Sequence, residues 1–327
     1  MRWSRKSTRN PRRLQPVAEQ GHGTISILDT IRQVIKGVTA LLVISTSTIV
    51  LTTVACILAV FKLLAPEGRV REWFRRLLAR VAELWIGINN AVLSLYRQPK
   101  WDVQIPQGLS RTGCYLVNSN HQSWVDILVL QKVFNRRLPL LRFFLKSELF
   151  WVPFLGVAWW ALDFPYMKRY SKEQVAKQPG LKGKDLENAR KACEKFKNIP
   201  VAMMNFPEGT RFSIAKRDRY GSPYQNLLTP RIGGMGQVFY ALASELDSMI
   251  DVTIVYPEKR PDGTAPTFWT LITGQLPEIV VRAREIDIPP HLLGRNFRSD
   301  REFRCDLEEW VAEIWREKDL QISSLSR

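Results

Sequence analysis

The sequence predicts a single mixed-sheet α/β domain preceded by an N-terminal pair of membrane-anchoring helices. Three observations predict it. Gly37–Phe61 runs twenty-five residues without a charge, between Lys36 and Lys62. A basic amphipathic stretch follows. From Trp101 onward short apolar runs alternate with helical patterns, which argues one mixed α/β domain of about 230 residues. The expected divisions are a disordered basic leader over 1–24, an anchor over 25–98 and the α/β domain over 99–327.

Residues 1–24 are rich in Pro, Gly, Arg and Ser and offer nothing to pack. As a helix, Gly37–Phe61 would reach about 37 Å, against about 30 Å of bilayer hydrocarbon. Core helices rarely run this long without a charge. A cleaved signal peptide fits poorly, because the leader is long and no A-x-A site follows. Positive charge on both flanks leaves the orientation open under the positive-inside rule. A hairpin that dips in and returns to the same face explains both flanks better than a spanning helix. It leaves everything downstream cytoplasmic, on the inner (cytoplasmic) membrane.

Val70, Trp73, Phe74, Leu77, Leu78, Val81, Leu84, Trp85 and Ile88 recur at helical spacing, among Arg69, Arg71, Arg75, Arg76 and Arg80. Such a helix lies in a membrane interface or packs on the protein's own core. Trp101–Ile105, Cys114–Val117, Leu141–Lys146, Pro200–Phe206, Ile250–Tyr256 and Pro277–Ala283 read as strands. Trp124–Phe134, Gly183–Asn198 and Asp300–Lys318 read as helices. Leu149–Leu162 is uncharged, with three tryptophans, and too short to span a bilayer. It is either a buried core element or a second membrane-contacting surface.

The charge agrees with this order. The chain of 327 residues has 48 Lys+Arg against 31 Asp+Glu, a net of +17, and eleven of those charges fall in the first hundred residues. They bracket the apolar run and suit an anionic phospholipid bilayer. No RNP-like or zinc-finger pattern accompanies them, so no nucleic-acid partner is expected. Four dispersed cysteines without C-x-x-C exclude a disulfide scaffold. Three unpaired histidines exclude a multi-His site, so no metal is expected.

Two short segments carry chemistry. The strand at Cys114–Val117 runs into Asn118-Ser119-Asn120-His121-Gln122-Ser123-Trp124-Val125-Asp126. Ser123 and Asp126 fit a capping box, which on its own would use Asp126 only to close a helical turn. That leaves His121 without a role. Alternatively His121 folds back so that Asp126 accepts from one ring nitrogen and the other can take a proton. This is a base with its orienting carboxylate. The second segment, Asn205-Phe206-Pro207-Glu208-Gly209-Thr210-Arg211, is either an ordinary turn with a solvated arginine or an anion site. The chain has no G-x-S-x-G elbow, phosphate-binding P-loop or dinucleotide fingerprint.

H-x-x-x-x-D after a strand, with F-P-E-G-T-R about 85 residues later, resembles the glycerolipid acyltransferase family of the PlsC type. Lys146-Ser147-Glu148-Leu149 through Pro153, Gly156 and Arg169 is similar to the family's second motif, and Ile250–Pro257 to its fourth. The resemblance covers roughly residues 36–320. It is nearest the bacterial lysocardiolipin-acyltransferase-like branch, on the runs WVPFLG, ALDFPYMKRYS and QNLLTPR.

The resemblance implies transfer of a fatty acyl chain from a thioester to the sn-2 hydroxyl of lysophosphatidic acid. Another lysophospholipid, such as lysophosphatidylglycerol or lysocardiolipin, is the alternative acceptor. The donor would be acyl-CoA or acyl carrier protein, with no cofactor. His121 would deprotonate the hydroxyl and Asp126 hold its tautomer. Arg211 and Lys146 would grip the phosphate. Glu208 and Gly209 would shape that pocket, with Thr210 an adjunct and Arg169 a further candidate.

Overall fold

The computed structural model describes residues 27–94, 99–167, 177–178, 184–197, 199–257 and 265–326. The expected leader over 1–24 and Arg169 lie outside the described residues.

Helix α1 (Ile27–Leu64) takes in the uncharged run and extends it at both ends to 38 residues. Its stretch Thr30–Leu64 contains an 18-residue window of mean hydropathy 2.3 and is long and apolar enough to cross a membrane by length and composition. Helix α2 (Arg69–Ser94) returns antiparallel to it. Phe61 meets Phe74, Thr48 meets the Trp85 indole, and Ala40 packs with Val92. The sequence stripe on α2 divides. Leu78, Ala82, Ile86 and Val92 are buried, whereas Val70, Trp73 and Leu84 are exposed. One face therefore packs on the protein's own core, and the other leaves apolar side chains exposed.

Helix α1 is pinned at both ends. Near its start Gly37 lies against Trp269, where a Cβ would come within 2.6 Å of the indole ring. Near its end Lys62 Nζ donates to the Ala161 carbonyl at 3.0 Å and pairs with Asp163 at 2.7 Å. Between these points the outer face is bare. Leu42, Ile49, Val50, Ile57 and Phe61 are all exposed.

The domain is built on a six-stranded sheet of order β1-β8-β7-β2-β6-β3. The strands are β1 (Lys100–Gln104), β2 (Cys114–Ser119), β3 (Leu141–Phe143), β6 (Val201–Asn205), β7 (Ser248–Val255) and β8 (Glu278–Ile286). All neighbours are parallel except β7 and β8. The central strands are apolar on both faces, as a covered parallel sheet requires. Leu116, Met203 and Met249 point into one core, shared with Phe239, Phe303, Val311 and Trp315. Tyr115, Val117, Met204 and Ile250 point into the other, shared with Val129, Val133 and Phe134.

Helices α3 (Val125–Phe134), α5 (Lys184–Glu194), α6 (Ile214–Tyr220), α7 (Gly233–Ala241), α8 (Phe268–Ile272) and α9 (Arg301–Leu325) complete the described elements of the domain, together with α4 below. The expected strand Leu141–Lys146 is interrupted at Phe144. Its second part, β4 (Leu145–Lys146), leaves the main sheet and pairs with β5 (Tyr166–Met167). Between β4 and β5 lie a 3-10 turn, Ser147–Trp151, and α4 (Leu155–Ala161). This segment also divides. Gly156, Ala158 and Ala161 are buried beside α1, while Trp151, Phe154, Val157 and Trp160 face outward.

Candidate active site

Parallel strands bring the loops at their carboxyl ends to one edge, where ligands of open α/β sheets bind. Here β2, β6, β3 and β7 all deliver their following residues to that edge. The loop leaving β2 is fixed first. The Asn120 amide donates to the Ile254 carbonyl at 2.9 Å and accepts from the Ile254 N–H at 2.8 Å. This side chain extends the β2–β7 ladder past the end of the strand.

His121 and Asp126 meet across the start of α3. Nδ1 of His121 lies 2.9 Å from Oδ2 of Asp126. The same oxygen accepts the Gln122 N–H at 2.6 Å and the Ser123 N–H at 2.8 Å. Oδ1 accepts the Tyr256 hydroxyl at 2.6 Å. Ser123 Oγ accepts the Val125 N–H at 3.0 Å. Asp126 therefore serves the helix start and the histidine together, although only its own half of the capping box forms, since the Ser123 hydroxyl accepts from Val125 and not from Asp126. The carboxylate is fully buried and faces donors only, which assigns the proton to Nδ1 and leaves Nε2 as the acceptor. Burial and the neighbouring Asp126 push the Tyr256 phenol well above its usual pKa, so it stays a donor. The imidazole lies flat against Phe206, with ring centroids 4.0 Å apart.

The Phe206–Phe212 segment is stitched to this histidine. Oε1 of Glu208 accepts the His121 N–H at 2.7 Å, and the His121 carbonyl accepts the Phe212 N–H at 2.7 Å. Oε2 of Glu208 accepts the Leu228 N–H at 2.9 Å. Glu208 is thus a buried tie between three loops. Gly209 turns the chain at φ +68°, a conformation that favours glycine. Lys216 Nζ donates to Thr210 Oγ1 at 2.9 Å and to the Arg211 carbonyl at 2.8 Å. Arg211 is exposed, with its guanidinium over the Trp124 ring at 5.2 Å and no carboxylate partner among the described residues. Lys146 is exposed at the end of β4, three residues beyond β3.

Phe206 and Tyr256 carry roles at the histidine that spacing did not reveal. The Tyr-Pro step after an apolar strand was the available signal for Tyr256. Helix α9 also reaches the site indirectly. Trp315 Nε1 donates to the Leu228 carbonyl at 3.1 Å, and Asp319 accepts the N–H groups of Gln225 and Asn226 at 2.9 and 2.7 Å. It thereby holds the loop whose Leu228 amide meets Glu208.

Burial pushes the Glu208 carboxyl up to about 8, against the pull of its two amide donors. A raised acid binds its proton more tightly folded than unfolded. It stabilises the fold fully below the ordinary carboxylate range, and the contribution is lost as pH rises through about 8. Between pH 5 and pH 9 the wild-type melting temperature should fall, relative to Glu208→Gln, by roughly 4 °C or more. Parallel melting curves that keep a constant gap across that range would refute the assignment.

An apolar slot of about 50 Å³ lies under α2, lined in part by Ala82, Ile86, Phe134, Leu141, Trp159 and Leu162. None of His121, Asp126, Lys146, Glu208 and Arg211 lines it. An aromatic ridge leads toward it from the histidine. Phe206 faces His121 on one side and Phe143 at 6.2 Å on the other, and Leu141 shares β3 with Phe143, two residues away on the same face.

Residues 100–256, from the start of β1 to Tyr256, match the family model described as Acyltransferase. The 1-acyl-sn-glycerol-3-phosphate acyltransferase epsilon of Mus musculus is 28% identical over 189 residues, 52% of this chain and 48% of its own. The 2-acyl-1-lysophosphatidylinositol acyltransferase of Saccharomyces cerevisiae is 26% identical over 243 residues, 61% of this chain and 58% of its own. The chain spans about half the length of the curated relatives it matches. The crystal structure of the 1-acyl-sn-glycerophosphate acyltransferase PlsC from Thermotoga maritima aligns with a TM-score of 0.51 at 16% identity, over 88% of this chain and 97% of that one, a likeness of fold. The chain therefore carries an acyltransferase family match over residues 100–256, within a PlsC-like mixed α/β fold behind a long apolar N-terminal helix.

Proposed function

We propose that the protein is a membrane-bound acyltransferase that transfers a fatty acyl chain from a thioester to the sn-2 hydroxyl of lysophosphatidic acid, giving phosphatidic acid. The observation that carries the reading is the His121–Asp126 pair, whose Nε2 has no hydrogen-bond partner among the described residues, beside an exposed cationic loop. Nε2 takes the hydroxyl proton as the oxygen attacks the thioester carbonyl. The tetrahedral intermediate collapses with loss of the C–S bond, and the imidazolium returns the proton to the departing sulfur. No acyl-enzyme is needed. Arg211 and Lys146 hold the acceptor phosphate. The ridge from Phe206 to Leu141 leads an acyl chain toward the slot under α2.

A second acceptor class, a lysophospholipid with a larger headgroup, is favoured by the similarity to the yeast lysophosphatidylinositol enzyme over the longer span. The bare face of α1 and the outward Trp151, Phe154 and Trp160 support attachment of residues 25–98 and α4 to an anionic bilayer. With α1 pinned at both ends, a helix lying along the domain is favoured over one standing across the membrane. The surface is that of the inner membrane, with residues 99–327 facing the cytoplasm.

The test crosses several lysophospholipid acceptors with acyl-CoA and acyl carrier protein donors, using detergent-purified protein. Transfer to at least one phosphate-bearing acceptor is expected, and none from either donor defeats the reading. Arg211→Ala should raise the KM for that acceptor about 10- to 100-fold with little change in kcat, the loss of one charge-assisted contact. A rise confined to the donor KM would remove Arg211 from the phosphate site.

A further inference from the structure

A second arginine, Arg231 at the end of the run QNLLTPR, lies beyond α6 on the loop that packs against the one holding Arg211. The segment Leu228–Arg231 is clamped to the motif loop twice. Leu228 N–H donates to Glu208 Oε2 at 2.9 Å, and Arg231 N–H donates to the Pro207 carbonyl at 2.7 Å. The backbone position of Arg231 is therefore preset by the loop it overlies.

Its side chain runs across Gly209. A Cβ on that glycine would lie 3.2 Å from Arg231 Cδ, 3.4 Å from Nε and 3.5 Å from Cζ. The missing side chain at 209 is what gives the guanidinium this place. The contrast with other arginines is informative. Arg282, Arg284 and Arg295 each face a carboxylate within 3.3 Å. Arg231 is exposed and has no hydrogen bond or ion pair from its side chain among the described residues. Arg211, two positions beyond Gly209, is likewise without a carboxylate. Arg231 thus lies over Gly209 and Arg211 follows that glycine by two residues, both without a carboxylate partner among the described residues.

Two guanidiniums without a carboxylate partner suit a dianion better than a monoanion. A phosphate monoester carries about −1.5 to −2 at neutral pH. A phosphodiester carries about −1, and its second ester group occupies an oxygen that a second guanidinium would otherwise meet. We infer that Arg231 is a specificity-determining residue that, together with Arg211, selects acceptors bearing a terminal phosphate monoester over phosphodiester lysophospholipids. The inference rests on the proposed acyltransferase reading and decides between its two acceptor classes.

The test compares wild type with Arg231→Gln on lysophosphatidic acid, a monoester, and lysophosphatidylglycerol, a diester, at one saturating acyl-CoA concentration. The variant keeps the backbone amide that binds Pro207, and its melting temperature is measured alongside. Wild type should favour the monoester. The variant should raise the monoester KM about 10-fold or more, move the diester KM less than about 2-fold, and leave kcat on both within about 2-fold. A structural role would lower kcat on both acceptors together, and that result overturns the inference. So does an unchanged monoester KM, an equal rise for both acceptors, or a wild type that prefers the diester. A wild type that acylates neither, nor any other acceptor in the crossed panel, defeats the underlying function instead.

Discussion

Replacing His121 by alanine should lower acyl transfer by about 10²- to 10⁴-fold, the usual contribution of a positioned general base. The fold should survive, because the change leaves the local scaffold in place. The residue 121 N–H still reaches Glu208, and its carbonyl still accepts from Phe212. Asp126 loses one donor and keeps the Gln122 and Ser123 amides and the Tyr256 hydroxyl. Phe206 loses the ring stacked on it, a modest packing loss at the edge of the core. The check is turnover with acyl-CoA and the best acceptor, beside a melting curve and vesicle co-sedimentation. Turnover above about a tenth of wild type in a folded variant would remove His121 from the role of base.

Asp126→Asn is the second large effect, and its physics differs. The amide has one acceptor oxygen where the carboxylate has two. If that oxygen takes the place of Oδ2, it still receives His121 Nδ1–H and both backbone N–H groups. The new NH₂ then donates to the Tyr256 oxygen, which can turn to accept it. The opposite orientation would set the NH₂ against three donors, so the first prevails. Tautomer and fold are kept, and the lost element is the negative charge that stabilises the imidazolium forming during attack. That charge matters only as the proton moves. We expect kcat to fall about 100-fold or more while the acceptor KM stays within about 3-fold. A variant with normal kcat and a raised KM would show that Asp126 only shapes the loop.

What could be read from the chain depended on whether a feature was local. Strands β2 and β7 were legible because both their faces are apolar and turn residues follow. Helix α9 was expected to end at Lys318 and continues to Leu325, since Ile322 carries the buried stripe one turn further. The break at Phe144 was not legible. An unbroken apolar run does not say which residue leaves a sheet. Leu149–Leu162 hid its division for a related reason. Its small residues face inward and its large ones outward, and hydropathy cannot rank two apolar faces.

At the site, His121, Asp126 and Arg211 stood out by side chain and spacing. The links that hold them did not. Leu228 acts through its amide, Pro207 through its carbonyl, and Tyr256 from 130 residues away. Contacts made by backbone groups across the fold leave no mark on residue type.

The double pinning of α1, at Trp269 and at Asp163, has a consequence for lipid traffic. If the protein is attached along this helix, as proposed, it touches one leaflet only. It would draw its acceptor from that leaflet and return a two-chain product to it, enlarging that side alone. Growth of the opposite leaflet would then require a separate step that moves lipid across the bilayer.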